Sequence, residues 1–191
     1  KHADSGLDVQ EFMIVPTQSA TFHDALRAGA EVYQFLKKSL SAMSMTVAVG
    51  DEGGFAPKLK SHAQALDVLA QAIQAAGYEG QVRLALDCAS SEYYREGRYC
   101  IEGRQLSAQE AGELYADWAA KHGIVSIEDP LAEDDWSGWN ALTAKLGDRM
   151  RLIGDDLFVT HPSRLERGIR EKSANAILIK LNQIGTLTET V

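Results

Sequence analysis

From Val82 onward the chain alternates between short β-branched stretches and helix-length amphipathic ones, and this rhythm constrains the fold more than any other feature. "VRLALD" is strand-like, "YYREGRYCIEG" reads as a hairpin turning at Glu96-Gly97, and "SAQEAGELYADWAAKHG" is a helix. That helix carries a Ser107-to-Glu110 capping box at its start and Gly123 after its last turn. "IVSIED", "DDWSGWNALTAKLG", "RLIGDD", "HPSRLERGIREKS" and "NAILIK" then continue strand, helix, strand, helix, strand. Upstream, "EFMIVP" is an apolar run stopped by Pro16. "TFHDALRAGAEVYQFLKKSL" is a helix capped by Thr21, with Leu26, Ala30, Tyr33 and Leu40 near helical spacing. "TVAVG" reads as a brief strand, and "SHAQALDVLAQAIQAAG" as a helix running from Ser61 to Gly77. Strands separated by helices of this length predict βαβ units, a parallel sheet and an α/β fold.

The strands share an unusual ending. "RLALD" finishes on Asp87, "VSIE" on Glu128, "RLIGD" on Asp155 and "AILIK" on Lys180, at separations of 41, 27 and 25 residues. The first interval is long because it holds the hairpin. In a parallel α/β barrel the strand C-termini open on one face, where active sites are built. Consecutive strand ends are neighbours, so Asp87, Glu128 and Asp155 would converge there. Three anions that close repel one another unless a cation sits among them. An all-oxygen donor set suits Mg²⁺, which takes few protein ligands and keeps water. Asp129 and Asp156, each following a proposed ligand, read as loop residues behind the metal. A Lys180 amine beside a cation, and partly desolvated, would have its pKa lowered toward that of a general base.

Two further stretches are polar in a way that fits a ligand site. "VGDEGGFAP" sets Asp51 and Glu52 among glycines that permit unusual backbone angles. It lacks the phosphate-loop pattern, and its acids would repel phosphate. It suits a tight loop presenting a carboxyl group, and a carboxyl held protonated can act as a general acid. "KHADSGLDVQEF" places His2 and Glu11 at the two ends of a polar loop leading into a strand.

Charge and composition remove other classes. Acidic residues outnumber basic ones 27 to 19, for a formal net of −8, and no Lys/Arg block interrupts them. Nucleic acid and membrane surfaces are poor partners for such a chain. No apolar run approaches the roughly 18 residues of a membrane span, and no signal peptide is visible. Cys88 and Cys100 are too few for a disulfide framework or a thiolate metal cage, and read as reduced cytosolic thiols. Lys1 is not a methionine, and "GTLTETV" reads as the opening turn of a helix, so a piece of a longer protein is expected.

Six segments in order, "HADSGLDVQEFMIVP", "VGDEGGFAP", "LALDCASSEYY", "VSIEDPLAEDDW", "IGDDLFVT" and "ILIKLNQIGTLTET", resemble enolase, the glycolytic phosphopyruvate hydratase. The resemblance runs along nearly the whole chain. It implies a partial TIM-like (β/α) barrel of the enolase type, spanning residues 1–191 and holding about five of the eight barrel strands. The sheet would have two open edges. A smaller N-terminal domain and the last barrel strands would lie outside the chain. By the same resemblance Asp87, Glu128 and Asp155 would bind Mg²⁺, and Lys180 would remove the C2 proton of 2-phosphoglycerate. Glu52 would assist departure of the C3 hydroxyl, Glu11 would support Glu52 and contact substrate, and His2 would lie beside the substrate. Substrate contacts from Glu128, Asp155 and Lys180 are implied too. The enolase superfamily pairs a lysine or histidine base with Mg²⁺, and the resemblance implies the lysine form here. The resemblance further implies a cytoplasmic enzyme, homodimeric or larger at full length.

Two alternatives share these residues. One is another enolase-superfamily lyase or racemase acting on a different carboxylate. The other is a non-catalytic enolase-like scaffold or binding protein, against which the mutually repelling acids argue.

Overall fold

The computed structural model describes residues 5–191. The first strand, β1 (Glu11–Pro16), is followed by helices α1 (Phe22–Ala42) and α2 (His62–Ala75), then strand β2 (Val82–Asp87). A short 3₁₀ turn at Ser90–Tyr93 leads to β3 (Tyr94–Arg95), β4 (Arg98–Ile101) and β5 (Arg104–Leu106), which form a small antiparallel sheet of their own. The remainder is α3 (Ala108–His122), β6 (Ile124–Glu128), α4 (Trp136–Leu146), β7 (Arg151–Gly154), α5 (Pro162–Glu171), β8 (Ala176–Ile177), α6 (Leu181–Ile184) and α7 (Leu187–Thr190). The main sheet has five strands in the order β1-β2-β6-β7-β8 and does not close on itself, as expected for part of a barrel.

Local chemistry accounts for most boundaries. The Thr21 and Ser61 hydroxyls each accept a backbone N–H three residues on, at 3.1 Å. Ser107 and Glu110 form the full reciprocal cap, and Gly123 ends α3 at φ +67°, a conformation that glycine adopts without penalty. The hairpin turns at Glu96-Gly97, and a second turn at Glu102-Gly103 adds the third strand. Both pairs have positive φ at both positions, the geometry that matches strand twist.

Three sequence expectations shift. "TVAVG" adds no strand to the main sheet. It folds back on its own glycine loop through the Val49–Phe55 bridge, with Gly50 N–H donating to Gly54 O and Ala56 N–H to Ala48 O. "NAILIK" contributes only two strand residues, Ala176 and Ile177, which pair with Ile153 and Gly154 of β7. In α1 the buried stripe is Ala28, Val32 and Leu40, whereas Leu26 is 61% exposed. Leu26 lies two residues from Ala28, about 200° around the helix, and so points away from the packed side.

The direction of β1 follows from counting helices. One helix between two strands returns the chain to its starting end and makes the strands parallel, as for β2, β6, β7 and β8. Two helices in series cancel that reversal, so β1 runs antiparallel to β2, in place of the parallel pairing expected from the sequence. Its N-terminal residue Glu11 therefore lies at the carboxyl end of the other strands.

Alternation then sorts the two faces of the sheet. Phe12, Ile14, Leu84, Leu86, Ile127 and Leu152 join the core that also takes Leu66 and Ile73 of α2, Tyr115 and Trp118 of α3, and Trp139 and Leu146 of α4. The intervening residues Met13, Ala85, Ser126 and Ile153 lie outside that cluster, on the opposite face.

Candidate active site

Three acids stand abreast where the strands end. The register pairs Glu11 with Asp87 and Asp87 with Glu128, then Glu128 with Ile153. Directly paired residues share a face, here the one turned away from the helices, with backbones about 4.8 Å apart. Asp155 follows Ile153 by two residues, just beyond β7, and Lys180 follows Ile177 by three. Hydrogen bonds continue past the strand ends and fix these loops. Cys88 N–H donates to Glu128 O at 2.9 Å, Asp129 N–H to Ile153 O at 3.0 Å, and Leu178 N–H to Gly154 O at 3.0 Å.

The neighbours of each group define its electrostatics. Asp87 is buried and accepts hydrogen bonds from Gln10 Nε2 at 3.2 Å and from Ala89 N–H at 3.0 Å. Burial pushes its pKa up to about 6; the Ala89 N–H opposes this and the charges of Asp155 and Asp156 add to it. Glu128 is raised to about 8 by burial first, then by Asp87, Asp129 and Asp155. Asp155 is bonded through one oxygen to the Lys180 ammonium and through the other to Gln183 Nε2, at 2.6 Å. A site with this excess of acid holds protons near neutrality, or holds a cation instead. Its all-oxygen donors fit a hard divalent ion.

The tightest acidic group is not the expected trio. Among the described residues, the acids whose oxygens lie within 4.8 Å of one another are Asp129, Asp155 and Asp156. The two Asp129 oxygens accept the backbone N–H groups of Asp155 and Asp156, at 3.1 and 2.7 Å. Asp129 is therefore committed to shaping the loop that presents Asp155. Burial nonetheless lifts its pKa to about 7.

Lys180 departs from expectation. Burial is the largest single influence and lowers its pKa, but the hydrogen bond and charge of Asp155, with Glu128 and Asp156, outweigh it and leave the value raised. Without a cation among them, the acids hold the lysine charged.

The glycine loop lies on the other side of β1. Glu11 and Glu52 both line a cavity of about 470 Å³ whose remaining wall is largely apolar, including Phe12, Leu36 and Phe55. The Tyr33 hydroxyl donates to Gly53 O at 2.9 Å, and its ring stacks on Phe55 at 4.3 Å, tying the loop to α1. Gly53 has φ +83°. His2 falls outside the described residues. Sequence reasoning gave no role to Gln10, Thr160 or Gln183. Only the tail "NQIGT", adjoining Lys180, pointed toward the last of these.

Among the described residues no helix is long and apolar enough to cross a membrane. A family model described as "Enolase, C-terminal TIM barrel domain" matches residues 1–191. The enolase of Elusimicrobium minutum (strain Pei191) is 56% identical over 191 residues, which is all of this chain and 45% of that relative. The chain thus spans a little under half the length of the curated relative it matches. With the partial barrel, the row of strand-end acids and a family match along its entire length, the chain belongs to the enolase C-terminal barrel family.

Proposed function

We propose that the protein containing this chain catalyses the Mg²⁺-dependent, reversible dehydration of 2-phosphoglycerate to phosphoenolpyruvate. The observation that carries this reading is the in-register row of Glu11, Asp87 and Glu128 beside the Lys180–Asp155 pair. Asp87, Glu128 and Asp155 would hold the ion. It would supply charge stabilisation to a substrate carboxylate that must take on further negative charge. Lys180 takes the C2 proton and must be neutral to do so. The lysine is held charged by the acids, so filling the site with a cation is what would free it to act as a base. Glu52 gives a proton to the departing C3 hydroxyl and Glu11 supports Glu52 from across their shared cavity; the resemblance would add His2, outside the described residues, as a substrate contact. The family setting supports a cytoplasmic, homodimeric or larger full-length enzyme.

The direct test is turnover of 2-phosphoglycerate by the full-length gene product, with and without Mg²⁺. Activity that vanishes with chelator and returns with Mg²⁺ is expected. Metal-independent activity, or activity only on another carboxylic acid, would reject the reading. The isolated 191-residue chain should be inactive or nearly so, because it spans under half of its relative. Size-exclusion chromatography of the full-length protein tests the dimer.

A further inference from the structure

Four groups close a ring of hydrogen bonds around Asp155. The Lys180 backbone N–H donates to Thr160 Oγ1 at 2.9 Å. That hydroxyl donates to Gln183 Oε1 at 2.7 Å. Gln183 Nε2 donates to Asp155 Oδ1 at 2.6 Å, and the Lys180 ammonium returns to Oδ2 of the same carboxylate. The direction of the ring is forced. A hydroxyl has one hydrogen, and with the Lys180 N–H arriving as donor, that hydrogen is available to Gln183. The carboxylate decides the amide's orientation: it only accepts, so reversing the amide would set an oxygen against Asp155, a repulsion in place of a bond.

Thr160 also occupies an uncommon backbone state. Val159 and Thr160 have φ of +43° and +53°, and both are β-branched, the side-chain class least suited to this region. Thr160 is 7% exposed. The turn is held by the Asp155 carbonyl, which accepts from Val159 N–H at 2.7 Å and from Phe158 N–H at 3.1 Å. Consecutive strained residues persist where surrounding structure over-determines them, and such places cluster at functional sites.

We propose that Thr160 and Gln183 are positioning residues. The Thr160 hydroxyl sets the Gln183 amide, the amide turns the Asp155 carboxylate toward a bound cation, and the same hydroxyl anchors the backbone from which Lys180 reaches in. This rests on the reading of Asp155 and Lys180 given above. It assigns the two Asp155 oxygens different neighbours, so a rotation of that carboxylate must break one of two bonds.

The test uses the full-length protein and its Thr160→Val, Thr160→Ser and Gln183→Leu variants. Valine keeps the branched shape and removes the hydroxyl; serine keeps the hydroxyl. Mg²⁺ affinity is measured by calorimetric titration, and kcat and KM for 2-phosphoglycerate separately. T160V and Q183L should each weaken Mg²⁺ binding or lower kcat by about 10- to 100-fold, the usual effect of losing a group that orients a metal ligand. KM should move far less, and T160S should restore most of the loss. A purely structural role would lower melting temperature while leaving the Mg²⁺ affinity of the folded protein unchanged. Parent-like Mg²⁺ affinity and kcat in T160V, or a folded T160S as impaired as T160V, overturns the proposal. Should T160V not fold, Q183L at the half-buried partner decides it. A parent that binds Mg²⁺ without turning over 2-phosphoglycerate refutes the function alone, and the affinity series still judges the ring. A parent that binds no Mg²⁺ refutes both.

Discussion

Glu128 is raised to a pKa of about 8 by burial and by the charges of Asp87, Asp129 and Asp155, above the value of about 6 at Asp87. Replacing it with glutamine removes one repelling charge while keeping size and hydrogen-bonding capacity. At pH 8 without metal, Glu128→Gln should raise stability, on the order of 1 kcal/mol, as relief of a strained functional site commonly does. The same variant should lose most of the melting-temperature increase that Mg²⁺ gives the parent, and thermal unfolding with and without the ion checks both. Asp129 predicts the opposite sign. It is 3% exposed, and its two oxygens each accept a backbone N–H. Asp129→Asn would turn one acceptor into a donor facing a donor, costing about 1–3 kcal/mol in a urea titration. The strand-end acids were legible in the sequence because each closes an apolar run of a recognisable period. The role of Asp129 was not, because its partners lie 26 and 27 residues away. Thr160 and Gln183 were hidden for the same reason, since a hydrogen bond across the fold leaves no periodic trace.

At the scale of elements, the small β3–β5 sheet braces the loop that follows Glu128. The fully buried Tyr99 hydroxyl donates to Asp135 Oδ2 at 2.7 Å and accepts from Ala132 N–H at 3.0 Å. Asp135 in turn caps α4 through Gly138 N–H at 3.0 Å. The hairpin inserted between β2 and α3 is thus tied to the loop carrying Asp129 and to the helix after it. Tyr99→Phe keeps the ring and leaves the Ala132 N–H buried without its acceptor. A loss of about 1–3 kcal/mol is expected. Faster hydrogen exchange at Ala132 should accompany it, while unchanged exchange there would show that the brace is dispensable. Helices and the Glu96-Gly97 turn were readable because caps and tight turns act within four residues, whereas the second turn at Glu102-Gly103 and the strand it adds were not read. Strands depend on pairing with distant segments, which local sequence does not record, so "TVAVG" folding onto its own loop and the shortness of β8 were not legible. The antiparallel entry of β1 was not read from the sequence, where "TVAVG" reads as a strand between the two helices, and it brings Glu11 to the same end as Asp87.

For the molecule as a whole, the row of acids makes stability depend on pH in an unusual direction. Ordinary carboxyls ionise near pH 4 in the unfolded chain. In the fold Asp87 is raised to about 6, Asp129 to about 7 and Glu128 to about 8, each chiefly by burial. Between those limits the native state binds more protons than the unfolded state, so stability falls as pH rises. The metal-free protein should therefore lose melting temperature steadily from pH 5 to pH 8. Lys180 has a raised pKa, so its contribution is intact throughout that window and is lost only in strong alkali. A divalent cation reverses the trend, because it binds the ionised acids and displaces their protons. Added Mg²⁺ should raise the melting temperature more at pH 8 than at pH 5. At a concentration one hundred times its dissociation constant the stabilisation is about 2.7 kcal/mol. Differential scanning calorimetry across that range, with chelator in one series and Mg²⁺ in the other, measures both slopes. A metal-free melting temperature that climbs toward pH 8 would mean the acids are already compensated within the protein, and the site would have no electrostatic need of a cation.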